Sequence, residues 1–155
     1  MRLPVLFALF AALLAPAPAA RADDVRAYDV EIVQPWARAS APGVPVAVVF
    51  LRLNNDGDLP ERLLRASSPL AERIELRRHV IEGSDIRPQR VGAIGIPPHE
   101  TVELIPGGLH LALFGLREPL LPGQRFPMTL SFERAGSAEV TVEVTDAAAM
   151  GPGIE

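Results

Sequence analysis

Short runs of alternating apolar and polar residues, cut by glycine and proline, dominate the chain beyond its first two dozen positions. A two-residue period puts successive side chains on opposite faces of a strand, so such runs predict half-buried β-strands. Tyr28 to Val33 alternates up to Pro35-Trp36, and Val46 to Leu53 is an apolar strand ending at the turn sequence Asn54-Asn55-Asp56-Gly57-Asp58. In Arg73 to Ile81, the residues Ile74, Leu76 and Val80 share one parity and Glu75, Arg77, His79 and Ile81 the other, until Gly83-Ser84-Asp85 breaks the run. Further strands are expected at Arg90 to Ile94, Glu100 to Leu104, Leu109 to Phe114, Met128 to Glu133 and Glu139 to Val144. Turns fall at Pro97-Pro98, Pro106-Gly107-Gly108, Leu121-Pro122-Gly123 and Ala135-Gly136. A brief helical turn fits within Ser67 to Glu72, but no segment carries several turns of 3.6-residue spacing free of Pro or Gly. This many short strands in about 120 residues predicts an all-β sandwich built as one domain.

The amino-terminal residues read as a targeting segment. Arg2 supplies a positive start, Leu3 to Leu14 is almost wholly apolar, and Ala20-Arg21-Ala22 offers small residues at the spacing a signal peptidase requires. Residues 1–22 are therefore expected to be a signal peptide, 23–146 the folded domain and 147–155 a short tail. The apolar run is shorter than the roughly 20 residues that cross a hydrocarbon core, and no later run is long enough to do so. The sequence holds no cysteine to receive a lipid at the cleavage point. These features predict a periplasmic, exported protein with no transmembrane segment after processing.

Composition narrows the function classes. The 15 basic residues are all arginine, set against 19 acids for a net charge of −4, and they form no run. Nucleic-acid binding needs clustered cations to displace counterions along the phosphates, so no nucleic-acid partner is expected. Zero cysteines remove thiolate metal sites, thiol nucleophiles and disulfide exchange. The chain has no phosphate-cradling glycine loop, His-Glu-x-x-His pair, calcium loop or Gly-x-Ser-x-Gly elbow, and only three histidines to serve as bases. It is read as a protein that is not an enzyme. Asp23-Asp24 and Asp56 with Asp58 read as a solvated terminus and a turn.

Several segments together carry a family resemblance. They are Trp36-Ala37-Arg38, the strand ending Asn54-Asn55, Ile74-Glu75-Leu76, Pro106-Gly107-Gly108-Leu109-His110-Leu111 and Gly115-Leu116-Arg117-Glu118-Pro119-Leu120. Over about residues 29 to 144 the chain resembles the periplasmic copper-chaperone family, the bacterial family associated with copper delivery to the CuA centre of cytochrome c oxidase. The resemblance implies a cupredoxin-like Greek-key β-sandwich, Cu(I) as the bound metal, and a cytochrome c oxidase assembly protein or oxidase subunit as partner. Similar members bind copper through two His and two Met. The first His lies just after the Ile-Glu-Leu segment, a Met follows eleven positions on, and a His-x-Met completes the set. At those positions this chain has Arg77, Pro88, His110 and Ala112.

Neutral thioethers and imidazoles suit soft Cu(I). Pro88 and Ala112 offer no donor, and Arg77 is a permanent cation. His79, two residues beyond Arg77 and therefore on the same face of its strand, can pair with His110 in a shifted site. The candidate metal residues are thus His110 and His79. Met128 reads as a packing residue and His99 as an exposed loop histidine. Trp36 reads as a core or rim anchor, Asn54 as a turn brace, and Leu116 with Leu120 as the cap of the sandwich. Arg77, Arg78, Arg87 and Arg90 can alternatively form a basic surface for a protein or small anion, and the competing reading is a metal-independent interaction or assembly protein that has lost the copper site.

Overall fold

The computed structural model describes residues 24–152; the expected signal peptide, residues 1–22, lies outside them. The described chain is built of strands: β1 (Val25–Ala27), β2 (Val30–Arg38), β3 (Val46–Asn55), β4 (Glu61–Ser67), β5 (Arg73–Glu82), β6 (Asp85–Arg90), β7 (Ile94–Ile96), β8 (Thr101–Leu104), β9 (Leu109–Phe114), β10 (Arg125–Phe132) and β11 (Ser137–Thr145). Their hydrogen-bonded order is β6-β5-β9-β8-β3-β2-β11-β10-β4-β7, with β1 beside β2. Neighbours out of sequence order, including β2 parallel to β11, give the Greek-key crossing expected from the sequence. One edge of β3 serves two partners: β9 pairs along Val46–Val49 and β8 along Leu51–Asn54.

The path closes over itself, because inward residues from its two halves share a single core. Leu76, Leu111 and Leu113 from β5 and β9 pack in the same cluster as Leu63, Leu130, Val140 and Val142 from β4, β10 and β11. Each contributes by alternation. In β3, Ala47, Val49, Leu51 and Leu53 are buried inward while Val46, Val48 and Arg52 lie on the other face only partly covered. Phe50 also belongs to that outer face, yet it is buried, because its cross-strand partner Trp36 lies against it with ring centroids 4.7 Å apart. Trp36 thus anchors the outer surface of the sheet and lies outside the central core cluster.

The sequence pattern and the strands diverge in several places, β1 and most of β6 being strands beyond those expected. β4 was not anticipated, since Glu-Arg-Leu-Leu-Arg-Ala-Ser is rich in helix formers; it becomes a strand because Leu63 and Ala66 are needed in the core beside β10. The expected strand over Arg90 to Ile94 is instead the end of β6 and the start of β7. β2 does not stop at Pro35: it continues to Arg38 through a register irregularity between Val33 and Trp36, where Gln34 takes φ +47°. Ser67 to Glu72 forms a single turn closed by Ala71 N–H donating to the Ser68 carbonyl, and no helix.

Two buried polar residues close loops at the end of β3 and the start of β4. Asn55, rather than Asn54, braces the loop after β3: its amide nitrogen donates to the carbonyls of Leu59 and Ile96, and its oxygen accepts from Gly57 N–H. Asn54 spans strands instead, donating to Glu31 and accepting from Thr101. Glu61, buried at the start of β4, accepts from the backbone N–H groups of Arg62, Arg134 and Ala135 at 2.8, 3.0 and 2.9 Å. Its carboxylate thereby fixes the β10–β11 connection. Glu61→Gln replaces an acceptor with a donor facing a backbone donor, so stability should fall by about 1–3 kcal/mol in a denaturant titration; an unchanged midpoint would remove Glu61 from this role.

Candidate functional site

The residue pair singled out from the sequence meets on the outer face of the β5–β9 ladder. β5 and β9 run antiparallel with Arg77 opposite His110 and Glu75 opposite Ala112. Inward Leu76, Leu111 and Leu113 set this register, which sends Arg77, His79, His110 and Ala112 outward. β6 adds Pro88 opposite His79. All four positions that correspond to the copper-chaperone ligand set, together with His79, line one shallow cavity of about 360 Å³. Phe50, Val48 and Arg38 complete its floor and far rim.

His79 and His110 bring their rings to 4.8 Å between centroids, tilted 30°. One carbonyl organises both. Gly108 O lies 3.0 Å from His110 Nδ1 and accepts the His79 backbone N–H at 3.3 Å. The left-handed Gly107, φ +83°, turns the chain so that this carbonyl faces β5. With Nδ1 donating to Gly108, the neutral His110 ring carries its free lone pair on Nε2. A histidine tied to a backbone carbonyl through one nitrogen is the arrangement that orients metal-ligating imidazoles. His79 Nδ1 is buried and meets no hydrogen-bond partner among the described residues. An orphaned buried nitrogen costs roughly 1–3 kcal/mol and asks for a ligand, ion or water to satisfy it.

The charge around the pair is held to one side. Burial, the largest influence, pushes the His110 pKa below the ordinary histidine value; the Gly108 carbonyl opposes this, and His79 and Arg77 add to the lowering. The ring is therefore neutral near pH 7, as a ligand must be. Arg77, at the implied first-ligand position, donates from both Nε and Nη2 to Glu75 Oε2 at 2.9 Å and lies 4.9 Å from the centre of the Phe114 ring. Arg73 holds the other Glu75 oxygen at 3.3 Å and also stacks on Phe114. Desolvation pushes the Glu75 pKa up, but the hydrogen bonds from Arg77 and Arg73 outweigh it and keep the carboxyl below its usual range. The guanidinium is committed to Glu75 and Phe114, partners on the side of the ladder away from His79.

The remaining histidine and the core methionine are elsewhere. His99 is exposed and lies 2.8 Å from Asp58, and Met128 is buried in the core at 1% exposure. Arg87 pairs with Asp85 and Arg78 bonds Gln89. Sequence reasoning missed three contributors: the Gly108 carbonyl, the Glu75–Phe114 hold on Arg77, and Arg38 at the cavity rim. Only the second left a trace, the i, i+2 spacing of Glu75 and Arg77 on one strand face. Among the described residues no group of three or more His, Cys, Asp or Glu side chains is placed to hold a metal ion.

A family model described as "Putative lipoprotein LpqE-like" matches residues 30–144. "Putative lipoprotein Lxx21020" of Leifsonia xyli subsp. xyli (strain CTCB07) is 30% identical over 122 residues, which cover 78% of this chain and 72% of that protein. Among solved structures, the "apo PmoF2 PCuAC domain" superposes with a TM-score of 0.71 at 28% identity, over 83% of this chain and 99% of that domain. The "Copper-bound PCuAC domain from PmoF2" gives 0.69 at 27% identity, over 80% and 98%. The fold is accordingly a cupredoxin-like β-sandwich of the PCuAC kind.

The depressed His110 pKa has a defined consequence. The unfolded imidazole takes up its proton more readily, so the folded protein gains stability above the ordinary histidine range and loses it as pH falls through the folded-state pKa. In an NMR titration the His110 ring should titrate below 6.5, with the unfolding midpoint declining over the same acidic window. A value at or above 6.5 would contradict the burial argument.

Proposed function

This chain belongs to the LpqE-like family, and on that premise we propose that it is an exported copper-chaperone-like protein carrying Cu(I) as cargo between His79 and His110. Its destination in this proposal is a cytochrome c oxidase assembly protein or oxidase subunit in the periplasm. The homology to copper-chaperone-type domains supports the general role. The observation that carries the specific one is the imidazole pair with an orphaned buried nitrogen. Cu(I) is a closed-shell soft ion that accepts two neutral nitrogen donors, and copper sites commonly use imidazole. With two protein donors the ion keeps coordination positions open, so an incoming ligand from a partner can bind before the old ones leave. Transfer then proceeds by ligand exchange without a free ion.

Other features fit this reading. No helix of the described residues is long and apolar enough to cross a membrane, which agrees with delivery by a protein released after removal of residues 1–22. The word lipoprotein belongs to the relatives' names; no cysteine in this sequence supplies a sulfur for the acyl group.

A second reading has its own support. Arg77, Pro88 and Ala112 occupy three of the four implied ligand positions and donate nothing to a metal. In this alternative the chain is a metal-independent interaction or assembly protein that uses the same rim. Anaerobic Cu(I) competition against a chromogenic chelator separates the two. Stoichiometric binding that is lost in the His79→Ala, His110→Ala double variant is the expected result; no competitive binding by the unmodified protein would overturn copper carriage and leave the interaction role. A gain-of-function variant checks the ligand assignment from the other direction. Arg77→His with Ala112→Met adds an imidazole and a thioether at the cavity and should tighten Cu(I) binding by at least about tenfold, ~1.4 kcal/mol.

A further inference from the structure

The cavity that His79 and His110 line carries more positive charge than its surroundings balance. Arg38 and Arg77 line it, and no Asp or Glu among the described residues does. Arg77 reaches the Glu75 carboxylate, but Arg73 shares that same group. Directly opposite Arg77 on β6, Arg90 adds a further exposed cation to this face. The excess is felt inside, since Arg77 contributes to the lowering of the His110 pKa. In a chain of net charge −4 this is a local reversal of sign.

Arg38 is the least compensated of these groups. It is half-buried at the end of β2, where a charge without a counter-ion is costly. Its Nε donates to the Ala149 carbonyl at 2.7 Å and its Nη2 to the Met150 Sδ at 3.2 Å, and both acceptors are uncharged. These bonds hold one edge of the guanidinium at the rim. They leave the other edge, Nη1 with the second N–H of Nη2, and the whole of the charge without a partner among the described residues. The guanidinium carbon lies 5.7 Å from the centre of the Phe50 ring on the cavity floor. Val48, Pro88 and Phe114 continue the apolar lining beside it.

We infer that this cavity is a binding site for a small organic monocarboxylate, with its carboxylate paired to Arg38 and its apolar body laid on Phe50 and Val48. The inference goes beyond the Cu(I) reading and does not use it, because the site is complete in the metal-free protein. A planar guanidinium edge matches the two oxygens of a carboxylate, and partial enclosure strengthens such a pair relative to one on the open surface. A phosphate dianion would need a cradle of several donors, whereas most of this lining is apolar. A volume of about 360 Å³ suits a short alkyl or single-ring acid.

Benzoate is the probe, titrated at constant ionic strength into the metal-free protein and followed by NMR, beside benzamide, its uncharged analogue of similar shape, and inorganic phosphate. Saturable shifts of the Phe50, His79 and His110 signals are expected with benzoate, and benzamide and phosphate should each bind at least about tenfold more weakly. Arg38→Gln should weaken benzoate about tenfold, while Arg78→Gln, whose side chain bonds Gln89 outside the cavity, should leave it unchanged. Because Arg38→Gln also disturbs the hold on Ala149, Arg38→Lys is the second variant: it keeps the charge and should retain more affinity than Arg38→Gln. Benzoate shifts that do not saturate, benzamide binding as tightly as benzoate, phosphate binding more tightly, or full affinity in Arg38→Gln overturns the carboxylate site. The chelator competition reports on Cu(I) separately, so failure of either reading leaves the other standing.

Discussion

The register of β9 against β5 governs this molecule. Leu111 and Leu113 are fully buried, and a slip of one residue would remove both from the core to the outer face of the sheet while driving His110 into the apolar interior. Burial of two leucines is worth several kcal/mol, so the pairing has one solution. The same constraint that builds the core therefore selects which side chains reach the outer face. Arg77 stands beside His110, His79 lies beyond it, and Pro88 sits opposite His79 because β6 follows β5 through the Gly83 turn. The cavity is a by-product of strand alternation rather than a separately folded feature.

Within that cavity, electrostatics decide what chemistry is open. Burial keeps His110 neutral, and the shared Gly108 carbonyl fixes its tautomer and its distance from β5. The arginine at the centre of the ladder does not face the imidazoles as a free cation, because Glu75 takes two of its nitrogens and Phe114 covers its plane. Glu75, shared with Arg73, offsets only part of that charge, which still adds to the lowering of the His110 pKa, and the Arg73–Glu75–Arg77 row forms a polar border of the cavity. The unsatisfied His79 nitrogen survives in the fold because β5 is held on both edges, by β6 and β9.

The polar groups of the sandwich are used in two ways. At the end of β3 and the start of β4, Asn55 and Glu61 are saturated by partners and close loops. On the outer face of the β5–β9 ladder a buried imidazole nitrogen meets no partner among the described residues, and beside that face the Met150 thioether accepts weakly from the Arg38 guanidinium.

The sequence by itself determined the fold class. Period-two alternation, turn residues at the strand ends and the absence of helical spacing lead to an all-β sandwich, and a Pro-Gly-Gly-x-His segment leads to the copper-chaperone resemblance. It also determined that His79 and His110 lie on outward parities, since that follows from alternation within each strand. Parity cannot say whether two strands are neighbours, so the convergence of the rings awaited the β5–β9 pairing. β4 was hidden because its residues favour a helix in isolation and become a strand only when the core takes Leu63 and Ala66. The Gly108 carbonyl, the cover of Phe114 on Arg77 and the fastening of Met150 to Arg38 were decided by tertiary structure, and only the i, i+2 spacing of Glu75 and Arg77 left a trace in the sequence. The contacts of Arg77 with Phe114 at 4.9 Å and of Arg38 with Met150 at 3.2 Å join groups from separate segments, and a linear pattern of residues carries no information about such distances.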